Sequence, residues 1–215
     1  MEIIPAINAP TFEEVKDKIK KVEPYVNWCQ LDITDGVFTK HLTWHDPRDL
    51  SSLETKLNVE VHLMIVNPEK AIDQWLVKPV KRVIVHLEAA SDPYFIIERC
   101  RAAGVEVGLA ISPETFWGKL EPWFGKVDLI QLLAVYPGPS GQQIQDEVFD
   151  KVIHIHKSCP ECIIEMDGGI TPKTVKKAAE YGAELFVAGS FIFKSPDIKK
   201  AIEELKNAAF KRRQN

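Results

Sequence analysis

Val26-Asn27-Trp28-Cys29-Gln30-Leu31-Asp32-Ile33-Thr34-Asp35-Gly36-Val37-Phe38 begins as an apolar run fit for a buried strand and ends in a glycine turn. Residues two apart on a strand share a face, so Gln30 and Asp32 point one way while Cys29, Leu31 and Ile33 point the other. A carboxylate closing a buried strand costs stability unless it is paired, hydrogen-bonded or holding a metal. What Asp32 holds has to come from elsewhere in the chain.

Similar apolar runs recur at 3–7, 57–65, 82–87, 105–111, 127–135, 162–166 and 184–188, which with 26–33 makes eight strands. Between them stand helix-start signals. A cap-type residue followed by Pro occurs at Asp46, Asn67, Asp92, Ser112, Thr171 and Ser195, and Thr11 opens a capping box with Glu14. Such side chains accept from the free amides of a first turn, and Pro suits the first helical position. The expected helices cover 11–22, 47–54, 68–77, 93–103, 113–123, 144–157, 172–181 and 196–211. Strict strand–helix alternation demands a parallel sheet with crossover helices. Eight repeats in 215 residues without a composition break predict one α/β domain over 1–215, a closed single (β/α)8 TIM barrel.

Composition narrows the partners. A net charge of −4 gives no reason to expect nucleic acid or an anionic membrane surface. No apolar run approaches the roughly 18 residues of a membrane span, and the first residues lack a signal peptide's layout. Four cysteines in a chain of this length fit a reducing cytoplasm. Cys159 and Cys162, in a helix-to-strand connection, read as two ordinary thiols. His154 and His156 read as surface residues, and Trp75, Trp117 and Trp123 as helix-packing ones.

Alternation within the strands puts Gln30, Asp32, His62, His86, Glu88 and Asp167 on the barrel's inner face. Asp32, His62 and Asp167 lie at the C-terminal ends of strands 2, 3 and 7, where barrels of this kind gather their functional residues. Two carboxylates and an imidazole match the donors of a divalent ion such as Zn, Mn, Fe or Co, one per subunit. A self-satisfied Asp–His–Asp network is the structural alternative. Gly168 and Gly169 follow strand 7, and Gly189 and Ser190 follow strand 8, the two loops that form the phosphate pocket of this fold. Gly138 and Gly141, flanking Pro139 and Ser140 after strand 6, supply a third side or a lid.

Leu31–Phe38, Val61-His62-Leu63-Met64, Val85-His86-Leu87-Glu88, Asp167-Gly168-Gly169-Ile170 and Val187–Phe193 together resemble the ribulose-phosphate 3-epimerase family, in order and over essentially the whole chain. The resemblance implies a metal-dependent epimerase interconverting D-ribulose 5-phosphate and D-xylulose 5-phosphate. It implies Asp32 and Asp167 as metal ligands and as the acid/base pair, His62 as a ligand that also meets the substrate, and a homo-oligomer in the cytoplasm. Inversion at carbon 3 requires a proton removed on one face of an enediolate and returned on the other, hence two carboxyl groups across the substrate.

The match departs at the sugar end. The family's fourth metal ligand is a His where this chain has Gln30, whose amide oxygen is expected to coordinate less well. Ala6 replaces a Ser, with Asn8 two residues on along the same face, while Thr34, Lys40, His41 and Ser140 also differ. Two further readings follow: an epimerase of another ketose phosphate, and a lyase or non-catalytic phosphosugar-binding barrel with a degenerate metal site. Against a Schiff-base lyase, Lys56, Lys81 and Lys126 stand at strand starts rather than ends.

Overall fold

The computed structural model describes residues 1–138 and 141–210. Eight parallel strands, β1 (Glu2–Ile7), β2 (Trp28–Thr34), β3 (Asn58–Met64), β4 (Val80–His86), β5 (Glu106–Ile111), β6 (Leu129–Leu133), β7 (Ile164–Asp167) and β8 (Leu185–Ala188), close into a barrel in sequence order. Pairing of β1 with β8, Ile4 opposite Val187, seals it. The expected (β/α)8 architecture is the observed one.

Helices α1 (Phe12–Val22), α2 (Ile72–Trp75), α3 (Pro93–Ala103), α4 (Glu147–Ser158), α5 (Pro172–Tyr181), α6 (Ser190–Phe193) and α7 (Ile198–Phe210) cover the outside. Three of them, α1, α3 and α5, begin as the caps predict. Thr11 accepts from Glu14 N at 3.3 Å and Asp92 from Phe95 N at 3.1 Å. Thr171 and Thr174 cap each other reciprocally.

Four of the expected starts behave differently. Pro47–Ser52 forms a 3-10 helix behind a true Asp46 cap. Asn67 is left-handed (φ 50) and makes no side-chain cap bond, so 68–77 breaks into a 3-10 turn and the short α2. Ser112 starts no helix. Its turn is pinned instead by Lys151, whose Nζ donates to Ser112 O, Pro113 O and Thr115 O at 2.9, 2.6 and 2.7 Å. Helical backbone appears only at Trp117–Trp123, as a 3-10 segment interrupted by Pro122. Before α7, Asp197 rather than Ser195 caps, accepting from Lys200 N at 2.9 Å. Lys211–Asn215 lie outside the described residues.

The core lies mainly between barrel and helices, where Val61, Leu63, Val83, Val85, Leu109 and Phe186 are fully buried. Each such side chain contributes about 1.5–3 kcal/mol by leaving water. The barrel interior is different. At its N-terminal end Arg82 Nη1 lies 2.6 Å from Glu60 Oε2, Arg82 Nη2 lies 2.6 Å from Glu106 Oε2, and the guanidinium sits 4.3 Å above the Trp28 ring. This charged plug seals the end away from the strand C-termini. Burial raises the Glu60 carboxyl to about 7 despite Arg82.

Cys159 and Cys162 are joined in a disulfide, contrary to the expectation of two separate thiols. A tight turn, Cys162 N to Cys159 O at 3.1 Å, closes the α4–β7 connection and brings their Cα atoms to 5.3 Å, within bridging range. Cys29 and Cys100 are buried free thiols. His154 is exposed and stacks on the half-buried Trp117 at 5.1 Å, while Trp75 is buried. No helix among the described residues is long and apolar enough to cross a membrane.

Candidate active site

Pairing of β2 with β3 sets Asp32 opposite His62, and pairing of β6 with β7 sets Gln131 opposite Glu165 and Leu133 opposite Asp167. The parallel register thus carries Asp32, His62 and Asp167 to one level at the C-terminal end. Their ligand-type atoms all lie within 4.8 Å of one another. His62 Nδ1 is 3.2 Å from Asp167 Oδ2 and 3.9 Å from Asp32 Oδ1.

The end of β2 is held by its own loop. Thr43 Oγ1 donates to the Asp32 carbonyl at 2.7 Å and accepts from Thr34 N at 2.9 Å. Asp35 accepts from Val37 N, Phe38 N and Val66 N, each at 2.8 Å. Burial opposes the charge on Asp35, but these amides outweigh it and hold the carboxyl below its ordinary range. Asp35 therefore builds the turn, leaving Asp32 to face the interior.

Gln30 Nε2 donates to Asp32 Oδ1 at 2.7 Å and to Asp167 Oδ2 at 2.8 Å, so one amide group links the two carboxylates across the barrel. The sequence expectation is that Gln30 presents its amide oxygen to a metal; in this structure the amide nitrogen faces the carboxylates instead. Gln30 Oε1 faces the opposite way and accepts from Gln131 Nε2 at 2.9 Å. Gln131 also donates to Glu165 Oε1 at 2.9 Å. Gln131 gives no signal in the sequence because it sits inside the apolar run Leu129–Leu133.

On the other side His62 Nε2 meets His86 Nε2 at 2.9 Å, and His86 Nδ1 meets Glu88 Oε2 at 3.2 Å. Glu88 Oε1 accepts from Ser112 N at 2.7 Å and from the Thr115 hydroxyl. Burial opposes the Glu88 charge, yet these bonds bring its carboxyl down to about 2. An ionised Glu88 accepts from His86 Nδ1–H, which leaves His86 Nε2 to accept from His62 Nε2–H. This tautomer leaves the lone pair of His62 Nδ1 directed at the two aspartates. Burial lowers the His62 imidazole to about 4, which keeps it neutral near pH 7.

Burial is also the main reason that Asp32 and Asp167 are both raised to about 6, and the charge of Asp167 raises Asp32 further. Asp32, His62 and Asp167 thus fit a small divalent cation in donor type, tautomer and spacing. Gln30 does not, as oriented, because it offers hydrogens where a fourth ligand would offer a lone pair.

The expected phosphate residues gather beside this cluster. Asp32, Asp167, Gly168, Gly169, Gly189 and Ser190 line one pocket of about 50 Å³, with Gly138 and Gly141 on its β6 side. Pro139 and Ser140 lie outside the described residues. Met64 and Leu133 supply apolar wall. A wider cavity of about 700 Å³ shares Gly141, Gly169 and Ser190 and carries Lys173, Lys177 and Lys194. Lys194 Nζ comes within 3.3 Å of where a Cβ on Gly141 would lie. Lys194 carries no signal in the sequence, since a lysine after Phe193 resembles any solvated charge. Asn8 and His41 meet each other, Asn8 Oδ1 to His41 Nε2 at 3.0 Å.

Comparison with known proteins agrees with this arrangement. A family model described as the ribulose-phosphate 3 epimerase family matches residues 2–193. The ribulose-phosphate 3-epimerase of Schizosaccharomyces pombe is 30% identical, the alignment covering 98% of this chain and 94% of the relative. That of Mycobacterium tuberculosis is 32% identical, covering 96% and 92%. Among solved structures, 3-hexulose-6-phosphate synthase from Salmonella typhimurium superposes with a TM-score of 0.71 at 16% identity over 97% of this chain and 98% of that one, a likeness of fold. The matched stretch spans every strand of the barrel and both carboxylates of the interior cluster, so this chain belongs to the ribulose-phosphate 3-epimerase family and is an epimerase.

Proposed function

We propose that the chain interconverts D-ribulose 5-phosphate and D-xylulose 5-phosphate by moving the proton at carbon 3. The observation that carries this reading is the pairing of Asp32 and Asp167 on β2 and β7, each within 2.8 Å of the same Gln30 amide nitrogen. Two carboxyl groups aimed at one point from opposite strands can bracket a flat enediolate.

Asp32 takes the proton from one face and Asp167 returns one on the other, the roles exchanging in the reverse direction. One must start ionised and the other protonated. Burial raises both carboxyls, so the pair takes up a proton closer to neutrality than ordinary carboxyls would, a property of the two groups together. Met64 and Leu133 limit water at the reacting carbon, which strengthens every charge–dipole contact there.

Asp32, His62 and Asp167 would hold a divalent ion (Zn, Mn, Fe or Co). When bound, such an ion supplies a Lewis acid worth several kcal/mol of charge stabilisation. His86 and Glu88 keep His62 in its ligand tautomer. Gly168, Gly169, Gly189 and Ser190, with Gly138 and Gly141 opposite, would bind the phosphate through backbone amides and the Ser190 hydroxyl. Lys194 adds a positive charge to the side nearest Gly141.

Proton NMR of D-ribulose 5-phosphate with the protein in D2O tests the proposal. Deuterium entering at carbon 3 while xylulose 5-phosphate accumulates is the expected result. Substrate binding with retained protium overturns it, as does turnover that survives Asp167→Asn.

A further inference from the structure

We propose that Gln131 is a latch which holds the Gln30 amide with its nitrogen facing the Asp32–His62–Asp167 cluster, and that this latch weakens cation binding there. The inference rests on the ligand set proposed above and concerns two side chains that stand outside it.

Gln30 and Gln131 are both fully buried, so their amide groups have no water to fall back on. As oriented, Gln30 makes two donor bonds to carboxylates, at 2.7 and 2.8 Å, and a long third contact to His62 Nδ1 at 3.4 Å. Its nitrogen therefore stands at the vertex that a fourth ligand would occupy relative to the other three. An amide terminus has the same shape after half a turn, with oxygen and nitrogen exchanged. The rotated Gln30 would offer Oε1 at that vertex and complete the donor set.

Gln131 opposes the rotation. Its Nε2 donates to Gln30 Oε1 at 2.9 Å, and half a turn of Gln30 alone would set two NH2 groups against each other. Gln131 cannot follow freely, because the same nitrogen is tied to Glu165 Oε1 at 2.9 Å and lies 3.4 Å from Asp167 Oδ2. The observed orientation leaves Gln131 Oε1 buried without a hydrogen-bond partner. Gln131 thus tolerates an unsatisfied oxygen so that its nitrogen can serve these acceptors. Gln131 acts as a positioning residue: it reaches the proposed ligands through Gln30 at 2.9 Å and, at the longer distance of 3.4 Å, through Asp167 Oδ2.

Zinc titration of the full chain by calorimetry tests the latch, using unsubstituted protein, Gln131→Met, Gln30→Met and the double variant. Methionine keeps the volume and removes the donor. Gln131→Met is expected to bind Zn2+ about three- to tenfold tighter, the worth of one neutral hydrogen bond. The double variant is expected to lose that gain, which a structural effect of Gln131 independent of Gln30 would not do. A Gln131→Met protein that binds zinc as well as or more weakly than the unsubstituted chain overturns the latch. Zinc bound by the unsubstituted chain in that case leaves the ligand set standing, whereas zinc bound by none of the four overturns both. Should Gln131→Met fail to fold, side-chain NH2 resonances of Gln30 in the unsubstituted protein decide the matter. Saturating Zn2+ must release the two hydrogen-bonded protons and shift them, and unchanged resonances in the zinc-bound protein overturn the proposal.

Discussion

Gly169 and Ile144 approach so closely that a Cβ at Gly169 would lie 2.8 Å from Ile144 Cβ and 3.0 Å from its Cα. Gly169 also has φ +63, the left-handed region that L side chains avoid. Contact and conformation together require glycine at position 169 of the β7 loop. Gly169→Ala is expected to raise KM for the sugar phosphate at least tenfold and to lower stability by about 1–3 kcal/mol, the usual effect of overpacking. Steady-state kinetics with a urea titration checks both. An unchanged KM would remove Gly169 from the proposed phosphate site.

Asp167 couples function to stability through pH. Its folded pKa of about 6 lies above the ordinary 3.8, mainly because the carboxyl is buried. A raised carboxyl stabilises the fold fully only while protonated, below about pH 4, and that contribution disappears as pH rises through about 6. In chelator, Asp167→Asn should therefore exceed the unsubstituted protein by roughly 2–3 kcal/mol at pH 8, the gap closing at pH 4. Urea midpoints at the two pH values give the measurement. Equal stability at pH 8 would mean that the carboxylate is not strained by its site.

These residues differ in how far the sequence reveals them. Asp32, His62 and Asp167 are legible because each breaks an apolar strand at its C-terminal end, and the period-2 rule assigns the face. Thr11, Asp92 and Thr171 are legible because a cap acts within four residues. Ser112 carries the same local signature as Asp92, but Glu88 and Lys151, dozens of residues away, tie its turn into a different shape. The orientation of Gln30 depends on Gln131, 101 residues further along, and no local pattern reports it. Arg82 opens a strand in the sequence with nothing local to turn it inward, and the register between β3 and β4, Glu60 opposite Arg82, makes it a plug.

His86 offers a test of the tautomer chain. It accepts from His62 Nε2 at 2.9 Å and packs at a tilt against the Phe38 ring, centroids 4.8 Å apart. His86→Phe keeps an aromatic ring there but leaves the His62 N–H without an acceptor. Zn2+ affinity should fall about 10- to 100-fold, as for other lost partners of ligating histidines. The kcat at saturating zinc should change little, because His86 does not face the substrate carbon. Calorimetric zinc affinity within twofold of the unsubstituted value would show that His62 keeps its tautomer unaided.

Arg82 tests the other end of the barrel. It is the partner of two buried carboxylates, at 2.6 Å from Glu60 and 3.9 Å from Glu165. Removing one partner of a buried ion pair typically costs about 3–5 kcal/mol, because a charge is left without compensation. Arg82→Met should lose about that much at pH 8. It should lose less at pH 5.5, since Glu60, already raised to about 7 with Arg82 present, is then protonated and needs no partner. Adding Glu60→Gln to Arg82→Met should recover most of the loss at pH 8. Turnover at 25 °C should persist in all of these variants, because the plug lies at the opposite end from Asp32 and Asp167. Urea titrations at both pH values, with kcat/KM alongside, separate the two ends. A loss independent of pH would assign Arg82 to packing against Trp28 rather than to charge.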